Sequence, residues 1–142
     1  MTDICVGIKD LLIASPALGT FGANTGWSIN IGKLVSSPHT AIGIMQSGGL
    51  PPNPRYLLDY PSVQIMVRGA ANDYQGGLAK AQAVKDRLLG IPSQTLNSDR
   101  WVACNMLGDI INLGFDENNC PMFALNFQLI IEPASGTNRV AL

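Results

Sequence analysis

Residues 59–90, DYPSVQIMVRGAANDYQGGLAKAQAVKDRLLG, restrict the fold more than any other stretch. Val63, Ile65 and Val67 alternate with Gln64, Met66 and Arg68. That period of two predicts a half-buried β-strand. Asp73 then stands where a helix needs an N-cap, since a carboxylate accepts from the unpaired amides of a first turn. Leu78, Ala81, Val84 and Leu88 recur at helical spacing over Tyr74–Leu89. Gly90 suits a left-handed position after the helix, and Pro92 prevents its resumption. Gly76 and Gly77 each cost the first turn about 1 kcal/mol against alanine. Close packing of the backbone on a neighbour would explain them. A strand running into a helix through a short polar turn buries both on one core, which makes this an α/β chain in the broad sense.

The flanking segments extend that pattern. Thr2 is placed to cap a first helix reaching Ala14, with Ile4, Ile8, Leu11 and Leu12 on one face. Pro16 stops it, and Gly19–Gly26 reads as a loop. Trp27, Ile29 and Ile31 alternate with Ser28, Asn30 and Gly32 as a strand. Thr40–Gln46 reads as a second strand, and the two together suggest a long hairpin. Residues 47–61 hold Gly48, Gly49, Pro51, Pro52 and Pro54. Prolines remove donors and glycines remove stiffness, so an exposed irregular loop is expected. It reads equally as a contact loop or as a plain connector. Pro92–Arg100 reads as a polar loop. Trp101–Leu107 reads as a strand that can continue through Ile110, Ile111 and Leu113. Asp116–Asn119 is a turn cluster. Phe123, Leu125, Phe127, Leu129 and Ile131 form a long closing strand, antiparallel to the one before it and ended by Pro133. Residues 134–142 read as a short tail. The expectation is one α+β domain over 1–142. Two helices pack on one face of a mixed, mostly antiparallel sheet, in the order α-β-β-β-α-β-β.

Composition narrows the function classes. Charged residues make up 13% of the chain and apolar residues 46%. Soluble monomers carry roughly 25% charged residues. The surface is therefore padded with neutral polar residues or partly covered by other subunits. The net charge is −1, and the basic residues form no run, which argues against sequence-specific nucleic-acid binding. Cys5, Cys104 and Cys120 are odd in number and widely spaced, which fits neither a disulfide framework nor a zinc site. No signal peptide and no apolar run of membrane-spanning length is visible, so folding in a reducing cytoplasm is expected.

No constellation for catalysis stands out. The single histidine, His39, follows Pro38 in a loop and lacks a nucleophile motif around it. Asp116 and Glu117 are adjacent in an Asn-rich turn, without the alternating acids of a calcium loop. A solvated hairpin tip is the simpler reading. Asp59 reads as fixing a turn. The glycine pairs match no phosphate-binding pattern. Cys104 lies on an apolar strand and reads as core. Arg68 falls on the Gln64/Met66 face, where a plain exposed arginine competes with one that binds a carboxylate across a subunit boundary. The chain is expected to be no enzyme, with no cofactor and no metal.

The run Tyr60–Gly69, YPSVQIMVRG, with Asp73–Tyr74 opening an alanine-rich helix, resembles the tail terminator proteins of long-tailed bacteriophages. These are also catalogued as tail-completion or minor capsid proteins. Gly114-Phe115-Asp116, Pro121, Phe123, Asn126-Phe127 and Ile130–Glu132 are similar to their closing hairpin. An amphipathic N-terminal helix is also usual there, so the resemblance spans nearly the whole chain. It implies a structural virion protein at the head–tail junction, assembled in the host cytoplasm. A homo-hexameric ring would cap the head-proximal end of the tail tube, stop its polymerisation and join it to the head connector or neck protein. DNA would only pass through the lumen. The motif points to Arg68 and Tyr74 as contact residues, and exposure points to Pro51, Pro52, Pro54 and Arg55. Arg68→Glu is then expected to weaken ring assembly and leave the monomer folded. Two features depart from the family pattern: Asn118-Asn119-Cys120 replaces an expected glycine near Asp116, and the 47–61 segment is longer. Two rivals stay open. One is another connector component such as a neck or stopper protein. The other is a small ligand-binding domain or enzyme built around His39 or Asp116.

Overall fold

A computed structural model describes residues 3–133. Thr2 and the tail 134–142 lie outside the described residues. The fold is α+β. Helix α1 (Ile4–Ile13) is followed by a short 3-10 turn, strands β1 (Thr20–Phe21), β2 (Ser28–Ile31), β3 (Ala41–Asn53) and β4 (Leu58–Arg68), then helix α2 (Tyr74–Leu89). Strands β5 (Gln94–Leu96), β6 (Asp99–Met106), β7 (Ile111–Phe115) and β8 (Pro121–Glu132) complete it. All eight strands join one sheet in the order β1-β2-β3-β4-β8-β6-β5, with β7 also paired to β8.

The alternating strands register their apolar residues in rows. Ile42, Val67 and Phe123 form one row, and Ile44, Ile65 and Leu125 the next. These side chains are fully buried together with Ile8 and Leu12 of α1 and Ala81, Val84 and Leu88 of α2. Both helices therefore cover the same face of the sheet. Removing that much apolar surface from water is the main drive to fold. Asp3 caps α1: its carboxylate accepts from the Cys5 amide at 2.9 Å. Asp73 caps α2 as expected, accepting from Gly76 N at 3.0 Å. Arg87 of α2 donates to Leu11 O at 2.9 Å, satisfying a free carbonyl at the end of α1. Gly7 lets the Trp101 ring lie directly on α1, since a Cβ there would meet the ring at 2.4 Å. Gly77 has the close neighbour that its position suggests. A Cβ on Gly69 would stand 2.9 Å from the Gly77 Cα, and one on Gly77 would stand 3.0 Å from Phe123.

Several expectations are corrected. β2 and β3 are parallel, not a hairpin. Residues 32–40 cross back between them with no helix, and the loop backbone at Lys33 runs over Gly43, where a Cβ would meet Lys33 O at 2.8 Å. Residues 47–61 are not an irregular loop. They are the outer part of a long β3–β4 hairpin, with register breaks between Gln46/Gly49 and Leu50/Asn53. β2 pairs β3 only over Ala41–Ile44, and Pro51 and Pro52 fall in the register break between Leu50 and Asn53, so neither proline interrupts a described ladder bond. Part of the 92–100 loop is a second hairpin, β5–β6, turned by Asn97 and Ser98 at φ 50° and 71°. Two successive positive-φ residues match the twist of a tight hairpin. Residues 19–26 include the two-residue β1. Gly90 has φ −91°, so the left-handed ending is absent. The strand from Trp101 breaks after Met106, and β7 resumes the pairing with β8 closer to its start.

Candidate assembly surfaces

The sheet ends in two exposed features at opposite ends of β8. The first is the hairpin arm. Asp59 pairs with Ile131 near the end of β8, so residues 53–58 project beyond the sheet. Asn53 shapes the tip: its Oδ1 accepts from Arg55 N at 3.0 Å and Tyr56 N at 3.2 Å. The Arg55 guanidinium lies over the Tyr56 ring, 5.6 Å from its centroid. Leu50 is 60% exposed and Tyr56 62%. Pro51, Pro52, Pro54 and Arg55 are exposed as well. Arg55 is the sole charge between Gln46 and Leu58. Asp59 lies in β4 at the base of the arm and is buried, which corrects its assignment to a turn.

The second feature is β7, which sequence reasoning did not single out. It pairs only with β8 and leaves its other edge open among the described residues. Ile111, Leu113 and Phe115 are all exposed, and so is Leu107 beside them. The strand INLGF carries no charge and no proline, two of the usual protections of an edge, although a register break between Asn112 and Gly114 interrupts it. Its apolar alternation is visible in the sequence, but alternation alone reads as core. Acids flank it. Asp109 pairs with Lys85 at 3.0 Å, while Asp116 and Glu117 begin the turn into β8. Asp116 accepts from the amides of Asn118 at 2.8 Å and Cys120 at 2.9 Å. Those bonds, led by the Cys120 amide, hold its carboxyl below the ordinary value.

Arg68 is placed differently from expectation. It is 7% exposed, beneath the 32–40 crossover. Its Nε donates to His39 O at 2.7 Å, and Nη2 donates to Pro38 O at 3.0 Å and to Val35 O. A loop that crosses without a helix leaves carbonyls unpaired, and Arg68 satisfies three of them. His39 contributes its carbonyl there. Tyr74 is 40% exposed at the start of α2, with its ring 5.5 Å from Phe123. The structure thus groups Pro51, Pro52, Pro54 and Arg55 on the arm and separates them from Arg68 and Tyr74.

The thiols are buried. Burial pushes Cys104 up to about 12 and, with help from the Asp3 charge, Cys5 up to about 11. Cys120 is raised too, chiefly by burial. Among the described residues, no three His, Cys, Asp or Glu side chains group to hold a metal ion. No helix among them is long and apolar enough to cross a membrane.

No curated protein matches the chain at a significant level. The bacteriophage tail terminator protein family does match, over residues 12–133. That span starts near the end of α1 and runs through β8, so it takes in the arm, the Arg68-tied crossover, α2 and the β7 edge. The chain belongs to the bacteriophage tail terminator protein family.

Proposed function

We propose that this protein forms a homo-hexameric ring on the head-proximal end of the phage tail tube. The ring ends tube polymerisation and offers its opposite face to the head connector or neck protein. The action is steric, and the protein is no enzyme and needs no cofactor. One face of the ring binds the last tube ring. The other lacks the surface that a further tube ring would need, so growth stops. A head-to-tail contact closes into a ring when its rotation closes. DNA passes through the lumen without being read. The family match over residues 12–133 carries this reading. The low charge and the exposed apolar residues at both ends of the sheet support it, because contiguous apolar surface marks contact sites.

Light scattering after size exclusion, with negative-stain images of the peak, tests the ring. A six-subunit ring, alone or on added tubes, is expected. A compact dimer that forms no ring on tubes contradicts the reading. Pull-down by connector protein but never by tube protein would assign the chain to a neck or stopper role instead.

A further inference from the structure

We propose that the arm tip of one copy, residues 50–56, seats on the open β7 edge of the next copy. This contact rests on the ring reading and specifies where the subunits meet.

The two surfaces are complementary and cannot meet within one chain. β7 pairs with the first residues of β8, whereas the arm leaves the sheet beside the last ones. At about 3.3 Å per residue, and with the arm's own projection, the tip stands roughly 40 Å from Phe115. Each surface is apolar and exposed in the isolated chain: Leu50 and Tyr56 on one, Leu113 and Phe115 on the other. Their charges are opposite. Arg55 stands alone on the tip, and Glu117 stands exposed beside Phe115 with Asp116. A basic tip meeting an acidic edge fixes register and excludes wrong partners.

Two copies of β7 pairing with each other fit less well. In a centred antiparallel register, Ile111 would face Phe115, which brings the Asp116–Glu117 turn of each copy toward Asp109 of the other; Lys85 offsets part of that repulsion, and the pairing gains no opposite charge. The other strands at the sheet margin are poorer seats. β1 has two residues, with the Lys9 ammonium 5.0 Å above Phe21, and β5 has three. A tip-to-edge contact joins different surfaces of identical subunits, which is the heterologous geometry that a ring requires.

Charge reversal tests the contact. Arg55→Glu and Glu117→Arg are made singly and together in the full chain, and self-association is measured by sedimentation at low salt, with and without tail tubes. Each single variant is expected to weaken assembly about tenfold, and the double variant to recover to within about threefold. Leu113→Ser with Phe115→Ser is expected to abolish assembly while circular dichroism stays unchanged, because both side chains are already exposed. A wild-type ring indifferent to all of these variants overturns the contact and leaves the ring reading standing. Singles that weaken assembly with no recovery in the double variant overturn the pairing of Arg55 with Glu117. A wild-type chain that stays monomeric both alone and on tubes overturns the ring and this contact together.

Discussion

Replacing Arg68 by methionine tests how the crossover between β2 and β3 is held. The guanidinium donates three hydrogen bonds to the Val35, Pro38 and His39 carbonyls. A hydrogen bond from a charged donor contributes about 1.5–3 kcal/mol. Three of them would come to about 4.5–9 kcal/mol if nothing relaxed. Two effects reduce that sum. The loop lies at the surface, so part of it can shift and hydrate the freed carbonyls. The variant also removes the desolvation cost of a buried cation. A loss of about 2–4 kcal/mol is therefore expected. Urea unfolding gives the global value, and amide hydrogen exchange over residues 32–44 gives the local one. Arg68→Lys keeps the charge but loses the planar fork, so it should fall between the two. By the same argument Arg68→Glu, which the motif-based reading expected to spare the monomer, should now destabilise it. A loss under about 1 kcal/mol for methionine, with unchanged exchange in the loop, would refute the claim that Arg68 holds the crossover.

Further predictions follow from other contacts. Gly77→Ala should destabilise by about 1–2 kcal/mol in thermal or urea unfolding, because the new methyl crowds Phe123 and Pro121; helix propensity alone predicts a gain of about 1 kcal/mol, so a gain would show that the α2–sheet packing is looser than described. Cys5 and Cys104, raised to about 11 and about 12, should resist a thiol reagent at pH 8 in the native protein and react once it is denatured. The Asp116 carboxyl is depressed in the folded state, so its contribution is present above its ordinary value of 3.8 and is lost as pH falls through the folded value. Amide protection in the 116–120 turn, taken relative to the intrinsic exchange rate at each pH, should therefore fall in acid, and Asp116→Asn should blunt that dependence.

The secondary structure that packs the core was legible because burial imposes its period on the residues. The 63–68 alternation, the Asp73 cap and the 123–131 alternation each place an element now seen as β4, α2 or β8. What stayed hidden depends on neighbours distant in sequence. β2 and β3 read as a hairpin because parallel strands ordinarily need a longer crossover. Here a short loop suffices, since Gly43 lets it lie on the sheet and Arg68 pairs its carbonyls. Pro51 and Pro52 argued against a strand, yet they sit in a register break on an edge that no other described strand covers. Asn97-Ser98 carries a tight-turn conformation that polar composition alone did not single out. The exposure of Pro51, Pro52, Pro54 and Arg55 was legible from the proline- and glycine-rich composition around them. β7 was passed over because its alternation promises burial, and only the pairing order shows that its outer edge has no strand partner among the described residues.

The role in tail assembly is tested most directly by growing tail tubes from purified tube protein with and without this protein. Negative-stain images then give the tube lengths and the appearance of the tube ends. Added protein should place a ring at one end of each tube and halt extension there, so that tubes capped early stay short when more tube protein is supplied. Tubes that keep lengthening with their ends bare would contradict a terminator role.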